Sequence, residues 1–452
     1  MSHTSTARPS GAPGPAMAAP AATVKPTLFN LGIPIMTLGD IAFLTVWCII
    51  SVFPLPAAGP LRYLCAAYVV GALFLYPRQM LPTLVRGALI FAIPVLAIIS
   101  ATWAPSANDA IRKGVLMAMT GMFAIYFASR LSARQLLFGY FIFEFGAGLM
   151  SLGHLGMFNG TAAGIFGQKN YLAIHMFILL TAGLVFLLDK HTHSLIRIAG
   201  AVALPISVLL ILLSKSSTTI VLMGLATLAF LIQAFIWGPA RRTPHLRSLI
   251  VIFAVLVVTI LLIVVFGLMQ VDAESTVLEA FGKDSTLTGR TYLWDEARRI
   301  MADHPMTGLG ANGFWRPEVG AARSITTFFF YEDFTQFSFH NSYLELGVQL
   351  GYPGMYLAII LATWALGMAA WTWFRDQNLL NFFFFVMSAM VVLRTNTEAD
   401  LGTDFSATLI LLYIGAVRPG HKSKNDLPAP PPEPAPGPAY AAPARSPVYR
   451  PR

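Results

Sequence analysis

Side chains able to do chemistry are concentrated in one polar segment of this hydrophobic chain, residues 271–342. Within it, Arg290, Trp294 and Arg298 are each four residues apart, and this spacing places them along one face of a helix. Guanidinium groups beside an aromatic ring suit a diphosphate next to a sugar, because forked N–H donors match phosphate oxygens and a flat ring packs against C–H groups. The alternative is an amphipathic helix that lies on a membrane surface.

His340 and Asn341 stand at the end of this polar segment, just before the next apolar run. Because imidazole titrates near neutral pH, His340 could take the proton from an attacking sugar hydroxyl. A lone histidine is more often structural, and this alternative stays open.

A glycine-rich stretch, residues 308–313, fits the Gly-x-Gly-x-x-Gly pattern of dinucleotide-binding sites. No strand is predicted before it, and it follows a helix that Pro305 would end, so the nucleotide interpretation is rejected. We expect a flexible turn that connects two helices of the polar segment.

Two short turns between apolar runs also carry a cation with polar neighbours. Residues 164–170 include Lys169 and Asn170, and residues 214–219 include Lys215 among serines and threonines. The hydroxyl groups could instead satisfy backbone groups at helix ends, which is the structural alternative.

Composition identifies the class of protein. The 452 residues are 56% hydrophobic and 11% charged, with a mean hydropathy of +0.66. A soluble domain of this size carries about twice that share of charge. Apolar runs of about 20 residues match a hydrocarbon core about 30 Å thick. The predicted fold class is all-α: a polytopic transmembrane helical bundle of about twelve spans with one large extracytoplasmic loop.

The predicted spans divide the chain into five parts. These are a disordered cytoplasmic tail (1–30), spans one to nine (31–270, the ninth near 249–268), a large periplasmic loop with the catalytic motifs (271–342), spans ten to twelve (343–417) and a Pro-rich disordered cytoplasmic tail (418–452). Lys and Arg alternate between loops as the positive-inside rule requires when both termini are cytoplasmic.

The charge distribution indicates a ligand at the outer face. The net charge of +9 is typical of cationic cytoplasmic loops and does not indicate a nucleic-acid partner. Four cations depart from that rule because they fall in short outer loops: Arg112, Lys113, Lys169 and Lys215. They indicate an anionic ligand at the outer membrane face, or, as the alternative, contact with anionic lipid head groups.

Neither a metal nor a cofactor is predicted. Cys48 and Cys65 both lie in apolar runs, which is typical of packing residues. The sequence has no Asp-x-Asp pair of the kind that binds a nucleotide-sugar metal. The acidic and histidine residues of the polar segment lack ligand-type spacing: Asp303, His304, Glu332, Asp333 and His340.

Five motifs follow one another in chain order. They are a Gly-x-Phe-x-x-Lys-Asn turn, a Ser/Thr turn after a Leu-rich span, Gly-Arg-x-x-x-Trp with a following Pro-x-x-Gly-x-Gly, His-Asn-x-Tyr-Leu, and Gly-x-x-Gly. This order resembles the O-antigen ligase and Wzy-type polymerase superfamily, and within it the exopolysaccharide polymerases of the ExoQ kind. Ser100 and Trp103 resemble the family's Ser-x-x-Trp, so the resemblance covers roughly residues 100–354.

The resemblance implies a metal-independent glycosyltransferase with a GT-C-like fold at the outer face of the inner membrane. The donor would be a polyprenyl-diphosphate-linked oligosaccharide and the acceptor another glycan, and other polysaccharide export components would be compatible partners. Arg290 would hold the diphosphate and His340 would activate the acceptor hydroxyl. The resemblance and the motifs assign substrate binding to six further residues: Lys169, Lys215, Trp294, Arg298, Asn170 and Asn341.

Two departures from the family pattern favour a polymerase over a lipid A ligase. Thr161 and Ala162 stand where many ligase-type members carry an arginine. In the Ser/Thr turn (residues 214–219), the family's Ser-Arg pattern reads Ser216-Ser217, and the cation is displaced to Lys215. An O-antigen ligase that transfers glycan to the lipid A core remains the alternative.

A polysaccharide-lipid flippase or transporter is the competing class. It predicts ionisable residues deep in the spans and an internal repeat. Glu144 and His175 are the candidates for buried charge, and each could instead be a packed polar residue with a local partner. No repeat is visible between the halves, and a non-enzymatic scaffold fits the Pro-rich tail better than the core.

Overall fold

The computed structural model describes residues 37–53, 58–158, 160–237, 286–330, 334 and 337–418. The helices of these residues are α1 (Leu38–Val52), α2 (Ala58–Leu75), α3 (Pro77–Arg86), α4 (Ala92–Ile99), α5 (Ala107–Arg130), α6 (Ala133–Gly153), α7 (Lys169–Leu188), α8 (Ser194–Ser214), α9 (Ser217–Leu231), α10 (Thr286–Asp303), α11 (Gly320–Phe328), α12 (Ser342–Arg375), α13 (Leu379–Arg394) and α14 (Ala407–Val417). Two-residue strands, β1 (Met157–Phe158) and β2 (Thr161–Ala162), pair antiparallel between α6 and α7.

Shorter helical turns join several of these elements. 3₁₀ turns lie at Ala88–Phe91, Ser100–Thr102, Gly164–Phe166 and Asp400–Gly402, and a π-helical turn, Ile232–Ile236, extends α9. Side chains begin the long helices: Ser132 starts α6 with a capping box, and Asn341 accepts hydrogen bonds from two backbone N–H groups at the start of α12.

Membrane-spanning helices dominate the described residues. Six are long and apolar enough to cross a bilayer: α5, α6, α7, α8, α9 with its π turn, and α12. The α2–α3 pair, bent by 107°, would add a seventh, and four apolar helices are shorter. The prediction of a multi-pass, all-α membrane protein is therefore confirmed. The count of twelve stays a prediction, because the ninth span (249–268) and both tails lie outside the described residues.

Helix α7 lies at the centre of the bundle. Its apolar window is 83% buried, whereas those of α8 and α9 are 33% and 22% buried. A helix that is hydrophobic on every side and enclosed by others is a rigid support. The first turn of α7 carries Lys169 and Asn170, so these two residues stand at the end of the most buried of the six long candidate spans.

The described part of the polar segment, which begins at residue 286, packs as a small domain on the first half of α12. Its own core contains Leu293, Ala297, Phe314 and Phe339, which pack against Val348 of α12. The end of the bundle that carries this domain is called the loop face below.

The glycine-rich stretch is a packed connection, and the expectation of flexibility is wrong. Leu309 N–H donates to the Val348 carbonyl at 3.0 Å, and Ala311 N–H donates to Ser100 Oγ at 2.9 Å. A Cβ at Gly310, whose φ is +85°, would overlap Ala104. Glycine is required here because the backbone of the loop lies directly against the α4–α5 corner.

Helix α12 contains a break where the sequence suggests re-entry into the membrane. Gly351 has φ +69° and ψ −172°, and Pro353 follows within the same helix. A Cβ at Gly351 would lie 2.7 Å from the Pro305 carbonyl oxygen, so the loop fits only against glycine. The helix thus begins at Ser342, before the predicted span, and its first half supports the loop.

Candidate active site

The carboxylate of Glu398 joins three parts of the chain at the loop face. Its Oε1 accepts a hydrogen bond from Asn170 Nδ2 at 3.1 Å, and its Oε2 lies 3.2 Å from His340 Nδ1. Arg290 Nη2 is 3.8 Å from Oε1. Residues from α7, α10, the segment before α12 and the α13–α14 connection therefore converge on one acidic group.

The surroundings of Glu398 favour its ionised form. Burial on its own would raise the pKa of this carboxyl group, since the side chain is 18% exposed. The hydrogen bond with His340 and the charges of Arg394, His340 and Arg290 outweigh burial, so the pKa lies below its ordinary value. A carboxylate at neutral pH can orient an imidazole and stabilise its protonated form.

His340 is held in an uncommon backbone conformation. Its φ is +48°, in the left-handed region that non-glycine residues rarely occupy. Neighbouring contacts fix it: Phe339 N–H donates to Glu345 Oε2 at 3.0 Å, and Trp294 Nε1 donates to the Phe339 carbonyl at 3.0 Å. Such strain persists only where surrounding contacts hold it, and it is frequent at functional sites.

The geometry assigns different roles to the two imidazole nitrogens of His340. Nδ1 faces the Glu398 carboxylate, which accepts hydrogen bonds, so in the neutral imidazole the N–H is assigned to Nδ1. In that form Nε2 keeps a free lone pair. The side chain is 40% exposed, so Nε2 is available to accept a proton from a bound hydroxyl group.

A buried ion pair between Arg394 and Asp400 lies next to this cluster. Arg394 donates from Nε to Asp400 Oδ2 at 2.7 Å and from Nη2 to Oδ1 at 3.3 Å, while its Nη1 donates to the Asn170 carbonyl at 3.3 Å. Burial raises the pKa of Asp400, and the charge of Arg394 opposes that rise. The bidentate pair fixes the connection that carries Glu398 against the start of α7.

Two exposed lysines flank the cluster. Lys215 has φ +50° at the end of α8, and the next residue, Ser216, donates from Oγ to Asn170 Oδ1 at 3.4 Å. Lys169 begins α7, directly before Asn170. Within the described part of the chain, neither lysine forms an ion pair, so both ammonium groups are available to an anion.

The remaining sequence-predicted residues fall into two groups. Trp294 and Asn341 support the site: Trp294 binds the carbonyl before His340, and Asn341 caps α12 and donates to the Asn396 carbonyl at 3.2 Å. Arg298 is not brought to the cluster. Its side chain is 60% exposed and pairs with Asp295 on the same helix.

The other outer cations of the sequence analysis lie outside the cluster. Lys113 pairs with Asp404 at 3.0 Å. Arg112 is exposed on α5. In the described ranges, no group of three or more His, Cys, Asp or Glu residues is arranged to hold a metal ion.

Known proteins match the part of the chain that carries much of this cluster. Residues 201–359 match the family model described as O-Antigen ligase. The exopolysaccharide production protein ExoQ of Rhizobium meliloti (strain 1021) is 32% identical over 141 residues, which are 31% of this chain. The chain spans about a third of the length of that relative, since the match covers 32% of it.

The predicted resemblance to the O-antigen ligase superfamily is confirmed. The matching segment contains Lys215, Arg290 and His340, and it ends in α12. Asn170 and Glu398 lie outside the O-antigen ligase match on either side, and in the structure Glu398 contacts both Asn170 and His340.

Sequence reasoning missed three residues of the cluster: Arg394, Glu398 and Asp400. A signal was present, because residues 394–400 read Arg-Thr-Asn-Thr-Glu-Ala-Asp between two apolar helices. Two acidic groups and an arginine in a short connection at a membrane face are unusual enough to indicate a site. The spacing alone does not reveal that Glu398 contacts His340, which lies 58 residues away.

Glu144 and His175 form a pair inside the bundle. Glu144 is completely buried on α6, and its Oε1 lies 2.9 Å from His175 Nδ1 on α7. The imidazole of His175 stacks on Phe166, with ring centroids 4.4 Å apart. Each residue therefore has the local partner that the structural alternative required.

Proposed function

We propose that this protein is a membrane glycosyltransferase of GT-C-like architecture that polymerises polyprenyl-diphosphate-linked oligosaccharide repeats into exopolysaccharide at the periplasmic face of the inner membrane. The observation that carries the proposal is the His340–Glu398 pair, with Arg290 beside the same carboxylate. The O-antigen ligase match and the likeness to ExoQ support the superfamily to which such enzymes belong. Both termini would be cytoplasmic.

We assign the donor diphosphate to the cations near the cluster. Arg290 lies 3.8 Å from Glu398. The exposed Lys169 and Lys215 directly precede Asn170 and Ser216 in the chain and have no acidic partner among the described residues. A leaving diphosphate gains negative charge as its bond to the sugar breaks, and cations fixed at that position stabilise the charge. The lipid tail would remain in the bilayer beside α7 and α8.

The reaction follows from the orientation of His340. An acceptor sugar hydroxyl attacks the anomeric carbon of the donor sugar, and the new C–O bond forms as the bond from that carbon to the diphosphate oxygen breaks. The electron pair of the broken bond leaves with the polyprenyl diphosphate. The hydroxyl proton passes to His340 Nε2, and the Glu398 carboxylate stabilises the imidazolium that results. The step does not use a metal ion.

An O-antigen ligase is the second candidate. The family description of the matching segment favours it directly. Both activities form the same bond at the same site, and they differ in the acceptor that reaches His340. A transporter is the alternative from a different class; Glu144 and His175, the buried residues that motivated it, are paired with each other inside the bundle.

The test is a gel of purified protein incubated with a polyprenyl-diphosphate-linked oligosaccharide, in the presence of a chelator. A ladder of products that is absent with His340→Ala, together with released polyprenyl diphosphate, supports the polymerase. Transfer only after addition of a lipid A core identifies the ligase. Inactivity with both acceptors, across several donor glycans, contradicts the glycosyltransferase proposal, and ion-coupled uptake into vesicles would then indicate a transporter.

A further inference from the structure

A second feature lies at the end of the bundle opposite His340. Helix α5 starts beside the loop, where Asp109 pairs with Arg316 at 2.8 Å, and it ends at Arg130 on the other membrane face. There a cavity of about 550 Å³ opens between α1, α2 and the end of α5. It is lined by Gly39, Asp40, Phe43, Leu64, Cys65, Tyr68, Tyr76 and Arg130.

One end of this cavity carries a balanced pair of charges. Arg130 Nη2 lies 3.0 Å from Asp40 Oδ2, and Tyr126 donates to Asp40 Oδ1 at 2.6 Å. The guanidinium lies 4.0 Å over the ring of Tyr76. Among the described residues, Arg130 Nε is buried without a hydrogen-bond partner. Arg130 Nη1 also donates to Gln79 Oε1 at 2.8 Å. The polar end therefore holds an anion and a cation that are paired with each other, with a net charge near zero.

The rest of the cavity is apolar and faces the bilayer. Phe43, Leu64 and Tyr68 form its walls, and Leu64 and Tyr68 are 67% and 45% exposed at its side. Leu64 and Tyr76 are twelve residues apart, which corresponds to about 18 Å along a helix. One leaflet of a hydrocarbon core is about 15 Å deep. The cavity thus spans one leaflet, from the head-group level to the bilayer centre.

Helix α3 marks the head-group level. It turns by 107° from α2 directly at Tyr76, so its axis leaves the direction of the spans. Its exposed residues combine Arg78 and Arg86 with Leu81 and Val85. A helix with this mixture lies in the membrane interface.

We propose that this cavity binds one zwitterionic phospholipid, phosphatidylethanolamine, in the leaflet opposite the candidate active site. One acyl chain occupies the apolar groove along α2. The head group lies at the polar end, where its phosphate meets Arg130 and its ammonium meets Asp40. The Arg130–Asp40 pair is neutral overall. A zwitterionic head group adds no net charge beside it, whereas an anionic head group adds a negative charge that no further cation among the described lining residues compensates, so the pair favours the zwitterion.

The experiment measures lipid retention and does not depend on catalysis. The full chain is reconstituted into nanodiscs of equal parts phosphatidylethanolamine and phosphatidylglycerol, released gently, and analysed by native mass spectrometry. The wild type should retain one phosphatidylethanolamine per chain. Leu64→Trp fills the mouth of the groove, and loss of only two buried methylene groups lowers affinity about tenfold.

A matched control separates the groove from the general lipid surface. Phe74 lies on the same helix, is 79% exposed and does not line the cavity, so Phe74→Trp should retain lipid as the wild type does. Asp40→Asn removes the partner of the ammonium group and should shift retention toward phosphatidylglycerol. Equal retention by wild type and Leu64→Trp would overturn the site. Retention of both lipids equally by the wild type would overturn the head-group assignment.

Discussion

The described part of the chain contains two histidine–carboxylate pairs, and they differ in exposure and in neighbouring charge. His340 and Glu398 lie 3.2 Å apart at the loop face, with the imidazole 40% exposed. His175 and Glu144 lie 2.9 Å apart inside the bundle, with side chains 5% and 0% exposed. The same two side-chain types therefore occur once where a substrate can reach them and once where it cannot.

The neighbours of the two pairs sharpen this contrast. The outer pair is approached by Arg290 and lies near the exposed Lys169 and Lys215. The inner imidazole stacks on Phe166, and Phe143 packs against its edge. A hydrogen-bonded pair is not a site by itself, because an acid–base residue also needs access and a place for the charge that develops.

The largest expected effect is that of His340→Ala on glycan transfer. Removal of the general base should lower the rate by about 10² to 10⁴-fold. The measurement is the rate of product ladder formation per folded molecule, with folding checked by gel filtration. His340→Ala with undiminished transfer would remove the distinction between the two pairs.

Arg290→Gln should have the next largest effect. Loss of one fixed group that stabilises developing charge lowers the rate by about 10² to 10³-fold. Arg298→Gln is the matched control, because Arg298 lies on the same helix, is exposed and pairs with Asp295. Both are measured by release of polyprenyl diphosphate. Equal losses for the two variants would show that α10 acts through its fold and not through Arg290.

Glu398→Gln keeps an acceptor for His340 Nδ1 but removes the charge. Transfer should fall by about 10- to 100-fold. Losses of this size follow when the hydrogen-bond partners that orient metal-binding residues are replaced, and Glu398 orients His340 in the same manner. A normal rate in this variant would mean that the carboxylate does not assist His340, which would make the outer pair resemble the inner one.

The pH dependence of protein stability provides a second test of Glu398→Gln. The folded pKa of Glu398 lies below its unfolded value of about 4.3, so its stabilisation is fully present above that pH and is lost as pH falls through the folded pKa. Melting temperatures in nanodiscs should therefore differ between wild type and Glu398→Gln above about pH 4.3 and converge below it. A difference that grows on acidification would contradict the sign of the shift.

The fold follows from the sequence where apolar length decides it. The predicted spans of α5 to α8 and of α12 are long enough for a bilayer, and the structure has helices there. The break at Gly351 was less predictable: Gly and Pro indicate a bend, but the reason for it is the carbonyl of Pro305, which packs against the helix. Packing between distant segments is not encoded in any local pattern.

The candidate site, like the fold, was only partly predictable from the sequence. Residue type and spacing indicated Arg290 and His340, because both stand in an unusually polar segment. The helix-face argument failed for Arg298, which lies one turn beyond Trp294, is exposed and pairs with Asp295. Glu398 and Arg394 required the tertiary structure, because they join the site only when α13 packs against α7 and the following connection reaches His340.

Lys169→Gln and Lys215→Gln should have smaller effects than Arg290→Gln. Both side chains are exposed, so water and salt screen their attraction for a diphosphate. We expect a raised KM for the lipid-linked donor with little change in kcat, and a larger defect in the double variant. The difference from the wild type should shrink at high salt, because salt screens the attraction that the lysines provide in the wild type. Full activity of the double variant at low salt would remove both lysines from the site.

The smallest effect on transfer is expected at the inner pair, although its effect on stability is large. His175→Gln removes the imidazole that is hydrogen-bonded to the buried Glu144, and leaving a buried polar group without its partner lowers stability by about 1–3 kcal/mol. Thermal unfolding in nanodiscs should show that loss, while transfer per folded molecule stays at the wild-type level. Replacing both residues by apolar ones, Glu144→Leu with His175→Phe, should recover part of the stability, since neither buried polar group remains. If His175→Gln instead lowered transfer without changing the melting temperature, the buried pair would have to act on the reaction, and access would no longer distinguish the two pairs.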